Sequence, residues 1–338
     1  MKFMIRLEIG KNEEEQRLDR FLRKYFRKAS LGRIYKMIRK DVRVNGKRVA
    51  IETFLAEGDQ VDIFMSEEEA ESYRETKKTV RALRQFAIAY EDPKMLIVSK
   101  PYGLLTHGDA NEKKNTLANQ VLGYLTEKGD YLPRLEKTFV PSPVNRLDRN
   151  TTGLVIFGKD SETLKRLNQM IRERDMVEKY YLTIVSGNLK EPLVLRDTMV
   201  KDGKTNTVTI QAEPDDDGKW MESRVKPLRH SKDQIMDPAK GTDKKTPKPL
   251  AYTLVEVELI TGRSHQIRAQ LAAAGYPIIG DTKYGNPQSN RLMKAKFGLT
   301  TQLLHAYKLV IEGKVVEAPI PDEFQRITGV LIDGNESR

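Results

Sequence analysis

The residue with the widest chemical scope in this sequence is Asp148, in the stretch Val144-Asn145-Arg146-Leu147-Asp148-Arg149-Asn150-Thr151-Thr152-Gly153. Turn formers here run into a short apolar segment, Leu154 to Phe157, so the spacing predicts a carboxylate held at a turn just before a buried strand. An aspartate in a turn ordinarily bonds its own backbone, and from this stretch alone that structural role is the default. Its neighbours argue for chemistry: Arg146 and Arg149 would keep the acid ionised and draw in a polyanion. Two distant residues could complete a site. Tyr181, in the β-rich run Val177 to Val185, is either a core residue or a platform for a base. Arg268 follows Thr261-Gly262-Arg263-Ser264-His265, where Ser264 is a plausible cap for a helix through Ala274, and an arginine in an early turn matters only if a carboxylate faces it.

Composition narrows the chemistry. The 338 residues suffice for about two domains. No cysteine is present, which excludes disulfides and thiolate catalysis, and His107, His230, His265 and His305 show no close ligand spacing, so no metal is expected. No window has the length of a membrane span and the first ten residues have no apolar signal core, which predicts a cytoplasmic protein. Gly203-Lys204-Thr205 imitates the end of a phosphate-binding loop, but Thr198 replaces the first glycine, and neither a dinucleotide fingerprint nor a serine nucleophile elbow occurs.

The net charge of +11 has an address. Between Arg20 and Arg48 twelve basic residues face one acid, Asp41, so this block carries the whole excess and the other 309 residues balance. Such a block marks a nucleic-acid-binding surface. Leu18, Phe21, Leu22, Tyr25 and Phe26 form one helical stripe, and Ser30 can cap a second helix whose Ile34 and Ile38 face inward. That leaves Arg20, Arg33, Lys36, Arg39 and Lys40 for the outward basic face. Asn45-Gly46 predicts a tight turn and Val61-Asp62-Ile63 a closing strand.

With Arg17-Leu18-Asp19, Val42-x-Val44-Asn45-Gly46 and Gly58-Asp59-x-Val61, roughly residues 15–65 resemble the α-L RNA-binding motif of a small-subunit ribosomal protein and several RNA-modifying enzymes, which implies a module over residues 1–65. Residues 66–85, of mixed charge, read as a linker that could be helical. Beyond it, strands are expected at Met95 to Val98, Val177 to Val185 and Tyr252 to Ile260, with a helix capped by Ser161. Residues 195–250, including Asp215-Asp216-Asp217-Gly218 and the lysines from Lys240 to Lys248, read as insertion-like loops and weak strands.

Lys100-Pro-x-Gly103, Asn145-Arg-Leu-Asp148-x-x-Thr-Thr152-Gly, Lys179-x-Tyr181-Leu and Thr261-Gly-Arg-Ser-His-Gln-Ile-Arg268 occur in the order found in RluA-type pseudouridine synthases, and Gly280-Asp281-x-x-Tyr284-Gly285 and Leu304-His305-Ala306 extend the resemblance. The likeness covers about residues 86–326, within a catalytic domain expected over 86–330, with Asn145 where histidine is common and Thr152 where serine is common. It implies an α+β fold: a small RNA-binding module ahead of a larger domain with a mixed, mainly antiparallel sheet flanked by helices. It implies uridine isomerisation in RNA, with Asp148 as the catalytic acid, Arg268 its partner, Tyr181 stacked on the base, Arg146 inserted into the RNA, and no cofactor. Arg149 and the basic block add RNA contacts. Large-subunit ribosomal RNA is the expected partner, transfer RNA or a non-catalytic role in ribosome assembly the alternatives, and a monomer the default state.

Overall fold

The computed structural model describes residues 3–74, 83–133, 135–174, 176–202, 207–211, 219–231 and 250–334. The first of these stretches folds around its own core. Strand β1 (Phe3–Glu8), helices α1 (Leu18–Tyr25) and α2 (Leu31–Asp41), β2 (Val42–Val44) and β3 (Gln60–Met65) enclose Leu18, Phe21, Phe26, Ile34, Ile38 and Ile63, all nearly solvent-free. The three strands run in the order β1-β3-β2, each pair antiparallel. Ser30 caps α2 through the Arg33 amide, and the tight turn forms with Asn45 and Gly46 at positive φ. Helix α3 (Glu67–Tyr73), within the expected 66–85 linker, lays Ala70 and Tyr73 on the same core and pairs Glu69 with Arg33. Lys77, Lys78 and Arg81 of that linker lie outside the described residues.

The larger part carries β4 (Ala87–Glu91), β5 (Met95–Lys100), α4 (Leu117–Lys128), β6 (Ser142–Pro143), β7 (Thr152–Gly158), α5 (Ser161–Glu173), β8 (Val177–Ser186), β9 (Leu193–Asp202), β10 (Thr207–Gln211), β11 (Lys219–His230), β12 (Tyr252–Leu259), α6 (Gln266–Ala273), α7 (Pro287–Phe297), β13 (Leu304–Ile311), β14 (Lys314–Glu317) and α8 (Asp322–Leu331). Its main sheet runs β10-β9-β11-β12-β8-β13-β7-β5-β4. Neighbours are antiparallel except β13 and β7, which meet in parallel over only two residue pairs. The mixed, mainly antiparallel sheet and the α+β class agree with the sequence reading.

That short parallel contact needs a glycine. At Gly153 φ is +111°, and a Cβ there would sit 2.1 Å from the Ala306 carbonyl oxygen, so any larger residue would push β7 off β13. Asp148 stands four to five residues upstream, and the junction therefore fixes where its loop leaves the sheet.

Three local expectations need correction. Asp160, not Ser161, caps α5, because its carboxylate takes both the amide and the hydroxyl of Thr163 at 2.7 and 2.8 Å. His265, not Ser264, is the cap position of α6, in the left-handed conformation at φ 55°. Residues 195–250 contain β11, a twelve-residue strand paired on both sides by β9 and β12. Met221, Ser223 and Val225 are buried, and so is Glu222, while Arg224 is exposed; the two charged residues hide the strand from a sequence reading. Residues 203–206, 212–218 and 232–249, with the Gly203-Lys204-Thr205, acidic and lysine-rich segments, lie outside the described residues.

Candidate active site

A cleft of about 240 Å³ opens where the loop before β7, the first half of β8 and the start of α6 converge, lined among others by Arg146, Asp148, Lys179, Tyr181, His265 and Arg268. Asp148, Tyr181 and Arg268, up to 120 positions apart, thus share one pocket.

The loop bearing Asp148 is held from several sides. The side chain of Asn145 bridges β7, donating to the Leu154 carbonyl at 3.1 Å and accepting from the Ile156 amide at 2.9 Å. The Thr106 hydroxyl donates to the Leu147 carbonyl at 3.1 Å. Lys100, 1% exposed, donates through Nζ to the carbonyls of Leu104 at 2.7 Å and Arg149 at 2.9 Å. Burial pushes this lysine down to about 7, with Asp148 pulling the other way. Asp148 itself caps no turn with its side chain: the Thr151 amide bonds its backbone carbonyl, which frees the carboxylate for the cleft.

Arg268 organises the charge. Its Nε and Nη2 clamp Asp281 at 2.7 and 2.9 Å, and its Nη1 reaches Asp148 Oδ2 at 2.9 Å. The fork therefore commits two donors to Asp281 and turns the third toward Asp148. The Asp281 side chain is fully buried and accepts the amides of Lys283 and Tyr284. Burial would raise Asp281, but Arg268 outweighs it and holds the acid below the usual carboxylate range. Burial opposes the Arg268 charge too, and the two carboxylates raise it regardless. The Tyr284 ring lies 5.3 Å from the guanidinium and its hydroxyl 3.1 Å from His265 Nδ1. His265 Nε2 stands 3.9 Å from Asp148 Oδ2, beyond a hydrogen bond, and burial lowers this imidazole so that it is neutral at pH 7.

Tyr181 projects from β8 into the same cleft. Burial, then Asp148, raises its phenol well above the ordinary value, so the hydroxyl keeps its proton. Lys179, two residues earlier and on the same face, is 7% exposed and pushed down to about 8 by burial and by Arg174. Helix α6 is pinned to β11 by Gln266, whose Nε2 donates to the Glu222 carbonyl and whose Oε1 accepts from the Arg263 amide.

Of the residues predicted from sequence, Asp148, Tyr181, Arg268 and Arg146 come together. Arg146 is exposed at the mouth of the cleft, while Arg149 points away and reaches Asp109 at 3.5 Å. Arg20, Lys36, Arg39 and Lys40 are exposed on the N-terminal module. Arg33 is half-buried and tied to Glu69 and to the Tyr73 hydroxyl, a placement the helical stripe could not foretell because the partner helix follows a strand later. Sequence reasoning assigned no role to Asp281, His265 or Lys100. The glycine before Asp281, at φ +75° with a Cβ position 2.2 Å from the Thr301 carbonyl oxygen, was the available signal for a constrained acid.

The family described as RNA pseudouridylate synthase matches residues 94–273. The chain is 30% identical over 318 residues to the ribosomal large subunit pseudouridine synthase C of Vibrio vulnificus (strain CMCP6), covering 93% of this chain and 90% of that one. It is 31% identical over 336 residues to the enzyme of the same name from Escherichia coli (strain K12), covering 94% and 93%. Among solved structures, the human RNA pseudouridylate synthase domain containing 4 aligns at a TM-score of 0.52 with 20% identity, over 71% of this chain and 90% of that one, a likeness of fold. The chain belongs to the RNA pseudouridylate synthase family, whose members isomerise uridine to pseudouridine.

Proposed function

We propose that the enzyme isomerises uridine in large-subunit ribosomal RNA, with Asp148 as the acting carboxylate. The observation that carries the target is the likeness to synthases named for the large ribosomal subunit, which runs through more than nine-tenths of this chain and so includes the basic module as well as the cleft. The reaction breaks the bond from ribose to base nitrogen, rotates the uracil and rejoins it through carbon-5. Asp148 serves it either by attacking the anomeric carbon or by taking the 2′ proton. Arg268 keeps that acid charged and aimed. A protonated Tyr181 suits clamping the freed base by its ring rather than accepting a proton in the resting enzyme. Arg146, exposed at the mouth, suits filling the stack that a flipped uridine vacates. The module supplies affinity through Arg20, Lys36, Arg39 and Lys40.

The test is deletion of the gene followed by pseudouridine mapping in ribosomal and transfer RNA, with complementation by wild type or Asp148→Asn. Loss of a large-subunit site, restored only by wild type, is the expected result. A lost site in transfer RNA alone overturns the target, and restoration by Asp148→Asn overturns the role of the acid.

A further inference from the structure

Trp220 is the chain's one tryptophan, and it is not in a core. It lies near the start of β11 with 41% of its surface in solvent, and the Arg174 guanidinium covers its indole at 4.7 Å. Arg174 ends α5 in a left-handed conformation at φ 60°, and Met176, 58% exposed, adopts φ 57°. Two non-glycine residues in that region make a strained corner, of the kind that persists where the surroundings enforce it.

This corner adjoins the catalytic cleft from two directions. Ile171, one helical turn before Arg174, lines the cleft, and so does Lys179, whose charge Arg174 opposes. On the other side Glu222, two residues after Trp220, accepts the amide of Thr261 at 3.3 Å, and the loop that begins there places Gly262 and exposed Arg263 in the cleft wall. An aromatic face with an arginine over it, with further exposed cations at Arg172, two residues before Arg174, and at Arg263 in the cleft wall, has the chemistry of a stacking site for a polyanionic strand. A plain surface cation–π contact would account for the pair alone. It would not account for the exposed indole, the strained corner and the basic surroundings at the border of an RNA-modifying cleft.

We propose that Trp220 and Arg174 form a stacking site for an unpaired nucleobase of the RNA strand next to the flipped uridine, and so help to select which uridine enters. The proposal rests on the chain's acting on RNA, and it is independent of which RNA that is. One base stacks on the open part of the indole while the Arg174 guanidinium holds the ring and neutralises the adjoining phosphate. The ribbon of β9 and β11, without a role in the reading of the catalytic motifs, then becomes the wall that reads the neighbour of the target.

Trp220 itself reports on this. The full-length Asp148→Asn protein is titrated with an oligouridylate of about ten nucleotides, long enough for one stacking groove, and tryptophan emission and fluorescence anisotropy of labelled RNA are followed together. The expected result is quenching of Trp220 emission along the same isotherm as binding. Trp220→Ala should weaken binding about ten-fold, Trp220→Phe should restore most of it, and Arg174→Ala should weaken it less while lowering the salt slope by about one. In the active enzyme Trp220→Ala should raise KM for substrate RNA and leave kcat within about two-fold, since an interaction equal in ground and transition states acts on KM alone. Saturating RNA with unchanged emission overturns the proposal, as does a Trp220→Ala protein that binds like wild type. If pseudouridine mapping moves the target to transfer RNA while quenching persists, the target assignment falls and the stacking site stands.

Discussion

Two regions of this protein handle positive charge in opposite ways. In the cleft Arg268 is buried, and each edge of its guanidinium meets a carboxylate. On the N-terminal module Arg20, Lys36, Arg39 and Lys40 stand in solvent, and Arg33, the one predicted member of that face with a strong acidic partner, is withdrawn from it. The difference fits the roles proposed for the two sets of charges. A cation that must orient a single acid has to be immobile, which requires partners and burial. Cations that must bind a phosphate chain act by releasing counterions, and a partner acid would cancel them. Between the two regions lie fixed polar contacts: Asn12 donates to Glu136 at 2.8 Å and accepts the Ser161 amide at 3.0 Å, and Gln16 donates to the Thr138 hydroxyl at 3.3 Å.

The sharpest way to break this contrast is at Asp148. Asp148→Asn should lower turnover by roughly 10⁴-fold while RNA affinity stays within a few-fold, because the acid carries the reaction and none of the phosphate binding. Single-turnover pseudouridine formation beside equilibrium RNA binding checks it. A parallel fall in affinity would mean that the cleft and the module share one binding function after all.

Asp281→Asn is next. It leaves the Arg268 fork with a neutral partner in a fully buried position, and removing one member of such a pair costs about 3 kcal/mol or more. Denaturant unfolding should therefore lose about that much stability, and activity should fall because Arg268 is free to rotate off Asp148. If stability falls and activity does not, the aim of Arg268 does not depend on Asp281.

Reversing the module's face should act in the other currency. Lys36, Arg39 and Lys40 changed together to Glu should weaken RNA binding at least ten-fold at low salt and reduce the salt slope by up to about three, with unfolding unchanged. Arg33 is excluded from this set because its pairing with Glu69 holds α3 to the module, so its loss would confuse stability with affinity. An unchanged slope would remove the module from RNA recognition.

How much of this could be read from the chain depends on range. Features within a few residues were legible: the Ser30 cap, the Asn45-Gly46 turn, the strand after Gly153 and the basic block all express local rules. The Asp148, Tyr181 and Arg268 cluster was legible only as ordered motifs, since nothing in a 120-residue separation says that Nη1 of one meets Oδ2 of the other. Asp281 was missed for a related reason, because an acid thirteen residues after an arginine is not distinguished by spacing from any other. β11 was missed because its charged residues Glu222, which is buried, and Arg224, which is exposed, stand between buried Met221, Ser223 and Val225, and the run reads as polar on average. Cap positions at Asp160 and His265 were off by one, the usual ambiguity when two capable residues adjoin.

A second charge cluster, built around the buried Lys159, tests whether such pairing serves catalysis or only folding. Where β4, β7 and α4 end, Lys159 Nζ, 4% exposed at its side chain, donates to Glu91 at 2.6 Å and Asp130 at 2.7 Å, and Lys128 and Tyr124 each donate to Glu91 at 2.7 Å. Burial alone would raise Glu91, but the hydrogen bonds from Lys128, Lys159 and Tyr124 bring it down to about 2. An acid lowered on folding stabilises the fold above its ordinary value of 4.5, and that contribution drains away as the pH falls toward 2. Glu91→Gln should thus cost about 1–2 kcal/mol at neutral pH, reduced from the full shift by solvent screening, and should flatten the loss of stability between pH 4.5 and 2. Turnover at neutral pH should not change, because none of these groups lines the cleft. Chemical unfolding across that pH range, set beside single-turnover rates at pH 7, separates the two: an unchanged acid limb removes Glu91 as its source, and a slowed reaction would mean that the distal cluster also positions Asp148.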